Sequence, residues 1–363
     1  MKRHKICKII FAILAVFLCV AFYELIGICI TYKKQPAVSD ATIKETQNIM
    51  SVAGRENTER AVIIEKNSQA LLERVRLIQN AKDEIILSTF AFKSDESGKL
   101  ILGALHDAAD RGVHVRILVD GMESWIDMEG NPYFYGLSSH ENVEIKLYNK
   151  ANPLKPWKTM GRMHDKYLIA DGKIYILGGR NTYNYFLGDF PGHKNFDRDV
   201  LVVCDEPQKD NSVNQLWNYF ETIWEQEDCR YFHNSKKLAD RQSVKKAVLE
   251  LQEGYQQYFE VNKEKICDTD YADETFETEK ITLLSNPIHT QAKEPVVWYQ
   301  LGELMKNAKE RVKIHTPYII CNDMMYNTWE EIAQKVPDFS IMTNSVANNG
   351  NPFGAADYAK TEF

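Results

Sequence analysis

The apolar residues between positions 71 and 121 switch repeatedly between two spacings. Leu71, Leu72, Val75, Leu77, Ile78 and Ala81 recur at helical intervals, and residues 84–90 read as a strand. A second helix is predicted over 99–111. Val113, Val115, Ile117 and Val119 then alternate along a strand that ends at Asp120-Gly121. Helices that alternate with strands can bury their apolar faces only by covering a largely parallel sheet. Further on, Val213, Leu216, Trp217, Phe220, Ile223 and Trp224 form one helical stripe, which reads as core.

The pattern then starts again. Asn80-Ala-Lys-Asp-Glu-Ile precedes the first strand, and Asn307-Ala-Lys-Glu-Arg-Val precedes a strand ending at Thr316-Pro-Tyr318, an offset of 227. The strand ending at Asp120 has a counterpart ending at Asn344, an offset of 224. Two segments in the same order at nearly one offset indicate a duplicated domain. At those offsets Phe363 corresponds to residues 136–139 of the first copy, so the second copy reads as incomplete and the chain as truncated.

Residues 9–32 form an apolar run broken only by Glu24. About 20 such residues cross a bilayer core, and the run is long for a signal peptide. It reads as a retained anchor, with Glu24 toward its outer end. Four basic residues precede it, which places the N-terminus in the cytoplasm of a single-pass protein of the cell membrane. The first 34 residues hold six basic side chains against one acidic, so the formal charge of −7 divides into +5 there and −12 over the rest. An acidic body is a poor match to a phosphate polymer, which disfavours nucleic acid as a partner. The seven cysteines show neither zinc spacing nor a disulfide framework.

These patterns divide the chain into a cytoplasmic tip and anchor (1–34), a polar stalk (35–60), a first α/β domain (61–232), a charged helical connector (233–277) and an incomplete second domain (278–363).

The chemistry concentrates in residues 163–181. His164 and Lys166 lie two apart on an expected strand and so share one face. Asp171-Gly172 is a strong hairpin turn signal, and the chain returns along 173–177. Gly178-Gly179 then lets the backbone approach a ligand before Asn181. This set suits a phosphate. An imidazole attacks phosphorus, a lysine supplies a point charge, an aspartate fixes the imidazole tautomer, and an amide and tight glycine backbone donate hydrogen bonds.

The segment resembles the phospholipase D superfamily, whose hallmark H-x-K-x(4)-D followed by G-G/S-x-N is matched by His164, Lys166, Asp171, Gly178 and Asn181. Chance would produce the combined pattern in roughly one chain in 10⁵ of this length. Arg111–Gly121, Gly178-Gly-Arg-Asn181, Asp197-Arg-Asp199, Thr316-Pro-Tyr318 and Thr343-Asn-Ser345 are similar to the bacterial cardiolipin synthase branch. The resemblance implies a mixed α/β sheet flanked by helices, duplicated, behind the N-terminal transmembrane helix. It implies His164, Lys166 and Asp171 as catalytic residues, with Gly178, Gly179 and Asn181 on the substrate phosphate and Asp199 in support. No metal or other cofactor is implied. The expected substrates are phospholipids such as phosphatidylglycerol, reached at the membrane.

In that family two such motifs meet, one histidine forming a phosphohistidine while the other protonates the leaving alcohol. No other histidine of this chain is followed by lysine two residues later. A longer protein, a homodimer that supplies the second motif, or a catalytically incomplete phosphate- or lipid-binding protein are the three ways to account for this. A phospholipase D-type hydrolase or a nuclease is the alternative chemistry. His193 and Lys194 are further candidates to face substrate, and Trp125, Tyr133, Phe134 and Tyr135 to form a wall for acyl chains.

Overall fold

The computed structural model describes residues 2–51, 59–152 and 154–345. In chain order the elements are α1 (Lys2–Tyr32), α2 (Asp40–Ser51), β1 (Arg60–Ile64), α3 (Asn67–Asn80), β2 (Glu84–Thr89), α4 (Glu96–Asp110), β3 (His114–Asp120), α5 (Glu123–Met128), α6 (Pro132–Ser138) and β4 (Val143–Tyr148). They continue with β5 (Tyr167–Ala170), β6 (Ile174–Gly178), β7 (Asp199–Val203), α7 (Ser212–Trp224), β8 (Cys229–Tyr231), α8 (Gln242–Cys267), β9 (Phe276–Glu277), α9 (Val296–Lys306), β10 (Arg311–His315), α10 (Asp323–Lys335) and β11 (Asp338–Met342).

The chain divides into two compact units. The first holds a nine-stranded mixed sheet in the order β8-β4-β3-β2-β5-β6-β7-β1-β9. β2, β3 and β4 run parallel, and β5 joins β2 antiparallel. Side chains on a strand alternate between faces, and here both faces are covered. Ile85, Leu87, Val115, Ile117 and Val119 point into one core with α3, α4 and α6, whereas Ile86 and Leu118 point into the other against Leu216 and Phe220 of α7. Near-continuous apolar strands are therefore what this sheet requires. Asp95 caps α4, its Oδ1 accepting the Gly98 N–H at 3.1 Å. β5 and β6 form the expected hairpin, with Asp171 at φ 53° and Gly172 at φ 60°, the left-handed pair that a tight two-residue turn demands.

Residues 233–277, expected as a connector, contain α8, and α8 belongs to the first unit. Its charged surface hides one apolar stripe, Val244, Ala247, Leu251 and Tyr255, which packs on α4 and α6. Gly103 of α4 permits that approach, because a Cβ there would lie 2.6 Å from the Leu251 carbonyl oxygen and 2.8 Å from Tyr255 Cβ. Gly103→Leu should lower stability by about 1–3 kcal/mol, read as a shifted midpoint in urea unfolding.

The second unit is built on α2, α9, β10, α10 and β11. β10 and β11 are parallel, and the order α9-β10-α10-β11 repeats that of α3-β2-α4-β3. The expected stalk of residues 35–60 includes α2, whose Thr42 Oγ1 donates to Glu294 at 2.6 Å within this unit. Residues 52–58 of that stalk and residues 346–363 of the expected second domain lie outside the described residues.

Candidate active site

Parallel strands present their carboxyl ends on one edge of a sheet, and ligands of such sheets gather there. β3 ends at Asp120, which is fully buried. Its carboxylate accepts the Met122 and Glu123 N–H groups at 3.1 Å each. It also accepts Arg162 Nε at 2.8 and 2.9 Å, Arg162 Nη2 at 2.5 Å and the Met163 N–H at 3.1 Å. One buried carboxylate thus pins the chain immediately before His164. β2 ends at Thr89, and the next residue, Phe90, places its ring 4.5 Å from the imidazole of His164.

His164 and Lys166 lie in the irregular segment that leads into β5, rather than on the strand that the spacing suggested. Alternation still holds. Asp165 turns the other way and accepts the Tyr219 hydroxyl at 2.8 Å. The ammonium of Lys166 donates to the His164 carbonyl at 2.6 Å and sits 5.2 Å from the Phe90 ring, so both candidate groups face one aromatic side chain. Lys166 is buried, and burial pushes its pKa down to about 8, while Asp165, Asp197 and Asp120 oppose the shift. His164 keeps an exposed edge. Its packed surroundings and the cations Lys166 and Arg162 nevertheless push its pKa down to about 4, against the pull of Asp120. At neutral pH the imidazole is uncharged and the lysine beside it is still mostly cationic.

β6 delivers the other expected residues. Gly178 donates its N–H to the Lys166 carbonyl at 3.1 Å, so that amide is occupied and does not serve a phosphate. Carboxylates, not ligand space, explain both glycines. A Cβ on Gly178 would lie 2.0 Å from Asp199 Oδ1, and one on Gly179 would lie 2.1 Å from Asp197 Oδ2. Asn181 is buried, with Oδ1 accepting the Ala91 N–H at 3.1 Å, which ties it to the residue after Phe90. Asp199 is fully enclosed. Its Oδ2 receives Arg74 Nη1 at 2.9 Å and Arg180 Nη1 at 3.2 Å, and its Oδ1 has no hydrogen-bond partner among the described residues. Asp199 therefore braces the glycine turn while it is itself held by two buried cations.

Asp171 is not part of this cluster. It bonds to the residues that enter β2, whereas His164 packs on Phe90 just past the end of β2, and the six residues of that strand span about 20 Å. Its carboxylate accepts the N–H groups of Lys82 at 2.9 Å, Asp83 at 2.8 Å and Glu84 at 3.0 Å, fixing the entry to β2. The catalytic role expected for Asp171 is corrected to a structural one. Asp171→Asn, which tolerates the same positive φ, should cost about 1–2 kcal/mol of stability yet leave the pH profile of the folded protein unchanged. A shifted profile would contradict this assignment.

The expected acyl wall divides. Phe134 and Tyr135 are core, the Tyr133 hydroxyl donates to Glu250 at 2.5 Å, and Trp125 is exposed. His193 is exposed and packs 5.3 Å from the Tyr185 ring, and Lys194 donates to the Asn184 carbonyl at 2.5 Å. Sequence reading missed Phe90 and the Arg162–Asp120 pair. Their signal was available: two strands predicted parallel must end side by side.

Residues 75–224 match the family described as cardiolipin synthase, phospholipase D-like domain. These residues form a phospholipase D-like domain. An uncharacterized protein of Helicobacter pylori is 27% identical to it over 320 residues, covering 80% of this chain and 60% of that one. Cardiolipin synthase C of Escherichia coli is 29% identical over 154 residues, 39% of this chain and 31% of that one. The chain thus spans less than two thirds of the length of these curated relatives. The crystal structure of phosphatidylserine synthase from Haemophilus influenzae shares the phospholipase D fold, with a TM-score of 0.57 and 15% identity over 88% of this chain and 71% of that one.

Proposed function

We propose that the protein is a membrane-anchored phosphatidyltransferase of the cardiolipin synthase kind. The observation that carries this reading is a solvent-reachable His164 whose carbonyl accepts from the buried Lys166 ammonium at 2.6 Å, both facing Phe90. The similarity to cardiolipin synthases favours a phospholipid substrate. The 27-residue helix segment Ile6–Tyr32 is long and apolar enough to hold the site at a bilayer.

In the proposed reaction a ring nitrogen of His164 attacks the phosphodiester. A nitrogen–phosphorus bond forms, the bond to the leaving alcohol breaks, and that alcohol takes a proton from a second acid. The acceptor alcohol then gives its proton to the resulting base and attacks phosphorus, and His164 leaves uncharged. Lys166 and the Asn181 amide hold the phosphate oxygens. The second acid comes from outside the cluster described here, and a second copy of this chain in a homodimer would supply it.

The test is incubation of the full chain with vesicles of labelled phosphatidylglycerol. A doubled lipid and free glycerol are the expected products. Phosphatidic acid would mean that water is the acceptor and would replace transfer by hydrolysis. Absence of both would overturn the reading.

A further inference from the structure

Taking α1 as the membrane anchor proposed above, we propose that the described residues of segment 149–164 lie on the anionic bilayer surface, and that this surface meets α1 at Tyr23–Glu24 rather than at its end. Two tyrosines tie α1 to the rest of the first unit. The Tyr32 hydroxyl at the last turn donates to the Thr290 carbonyl at 2.7 Å and lies 3.4 Å from the Trp157 carbonyl. The Tyr23 hydroxyl donates to the Leu154 carbonyl at 3.4 Å. Nine residues of helix separate these tyrosines by about 13 Å, so Leu154 reaches that far along the anchor toward its N-terminus.

Irregular backbone cannot sit among lipid tails, because its polar groups would go unpaired. A loop that touches α1 at Tyr23 therefore sets the headgroup level there. The span left below it, residues 6–23, is about 27 Å long, close to the thickness of a hydrocarbon core. Glu24, the one charge in the apolar run, then falls at the headgroups instead of inside the membrane.

The loop has the matching chemistry. Leu154 is 78% exposed and Met160 59% exposed, and the ring of Trp157 is also open to solvent. Residues 149–164 contain Lys150, Lys155, Lys158 and Arg162 and no acidic residue, in a body that is otherwise acidic. Lys158 pairs with Asp228 and Arg162 with Asp120, while Lys150 and Lys155 are exposed. Exposed apolar tips, an interfacial tryptophan and lysines together fit an anionic lipid surface. His164 lies ten residues beyond Leu154, so the same contact brings the site to its substrate.

The experiment reads tryptophan fluorescence of the full chain in phosphatidylglycerol vesicles whose acyl chains carry bromine just below the headgroups. The expected result is quenching that falls at least twofold in Trp157→Phe and is restored when Leu154→Trp is added to that variant. No quenching of the wild-type chain, or equal quenching in Trp157→Phe, would overturn the proposal. His164→Ala should be quenched like the wild type whether or not it turns over lipid, so failure of this contact and failure of the transferase reading are separate outcomes.

Discussion

His164→Ala should reduce lipid turnover by at least about 10³-fold while leaving the midpoint of unfolding almost unchanged. The side chain contributes little to packing, because one edge is exposed and its neighbour Phe90 remains held by the end of β2. The chemical loss is large because this imidazole forms the bond to phosphorus in the proposed reaction. Product formation as in the wild type would exclude His164 as nucleophile. The pH dependence sharpens the test. With His164 near 4 and Lys166 near 8, the rate on phosphatidylglycerol should fall below pH 4, as the imidazole gains a proton, and above pH 8, as the ammonium loses one. Lys166→Arg should remove the alkaline limb wherever it retains activity, since a guanidinium does not titrate there.

Lys166→Met should stabilise the protein and abolish turnover together. The folded pKa of about 8 lies below the ordinary lysine value of 10.5, so between those values the unfolded chain holds more protons. Stability therefore rises with pH across that window, and at pH 7 the full cost of burying the charge is present. A methionine of similar shape removes that cost, worth about 1–3 kcal/mol. Thermal melts at pH 7 and pH 10 check the sign, because the advantage of the variant should shrink at the higher pH. A destabilised Lys166→Met chain would mean that the ammonium is held by partners stronger than the His164 carbonyl. Stability surrendered at one lysine is a mark of a functional site rather than of packing.

Much of this arrangement can be read from residue order alone. The alternation of Val113, Val115, Ile117 and Val119 belongs to a strand buried on both faces, and Asp171-Gly172 turns where a left-handed pair is needed. The apolar stripe of α7 is core. Motif spacing was misleading in one respect: it groups residues by sequence, whereas β5 carries Asp171 away from His164 along an extended chain. The two glycines were recognisable, but their reason was not, because the carboxylates come from Asp199 on β7 and from Asp197 in the segment before it. Likewise the charges of α8 concealed an apolar stripe at i, i+3, i+7 and i+11 that anchors it to α4. Phe90 and Asp120 enter the site only through tertiary structure, although the rule that parallel strands end together points to both.

The central claim is that His164 carries the phosphatidyl group between donor and acceptor. The most direct measurement is to incubate the full chain with phospholipid labelled at phosphorus, quench and digest at alkaline pH, and locate the label by peptide mass. The account predicts an acid-labile label on the peptide containing His164, absent from His164→Ala. Label on another residue, or product formed with no covalent intermediate at any time, would contradict it.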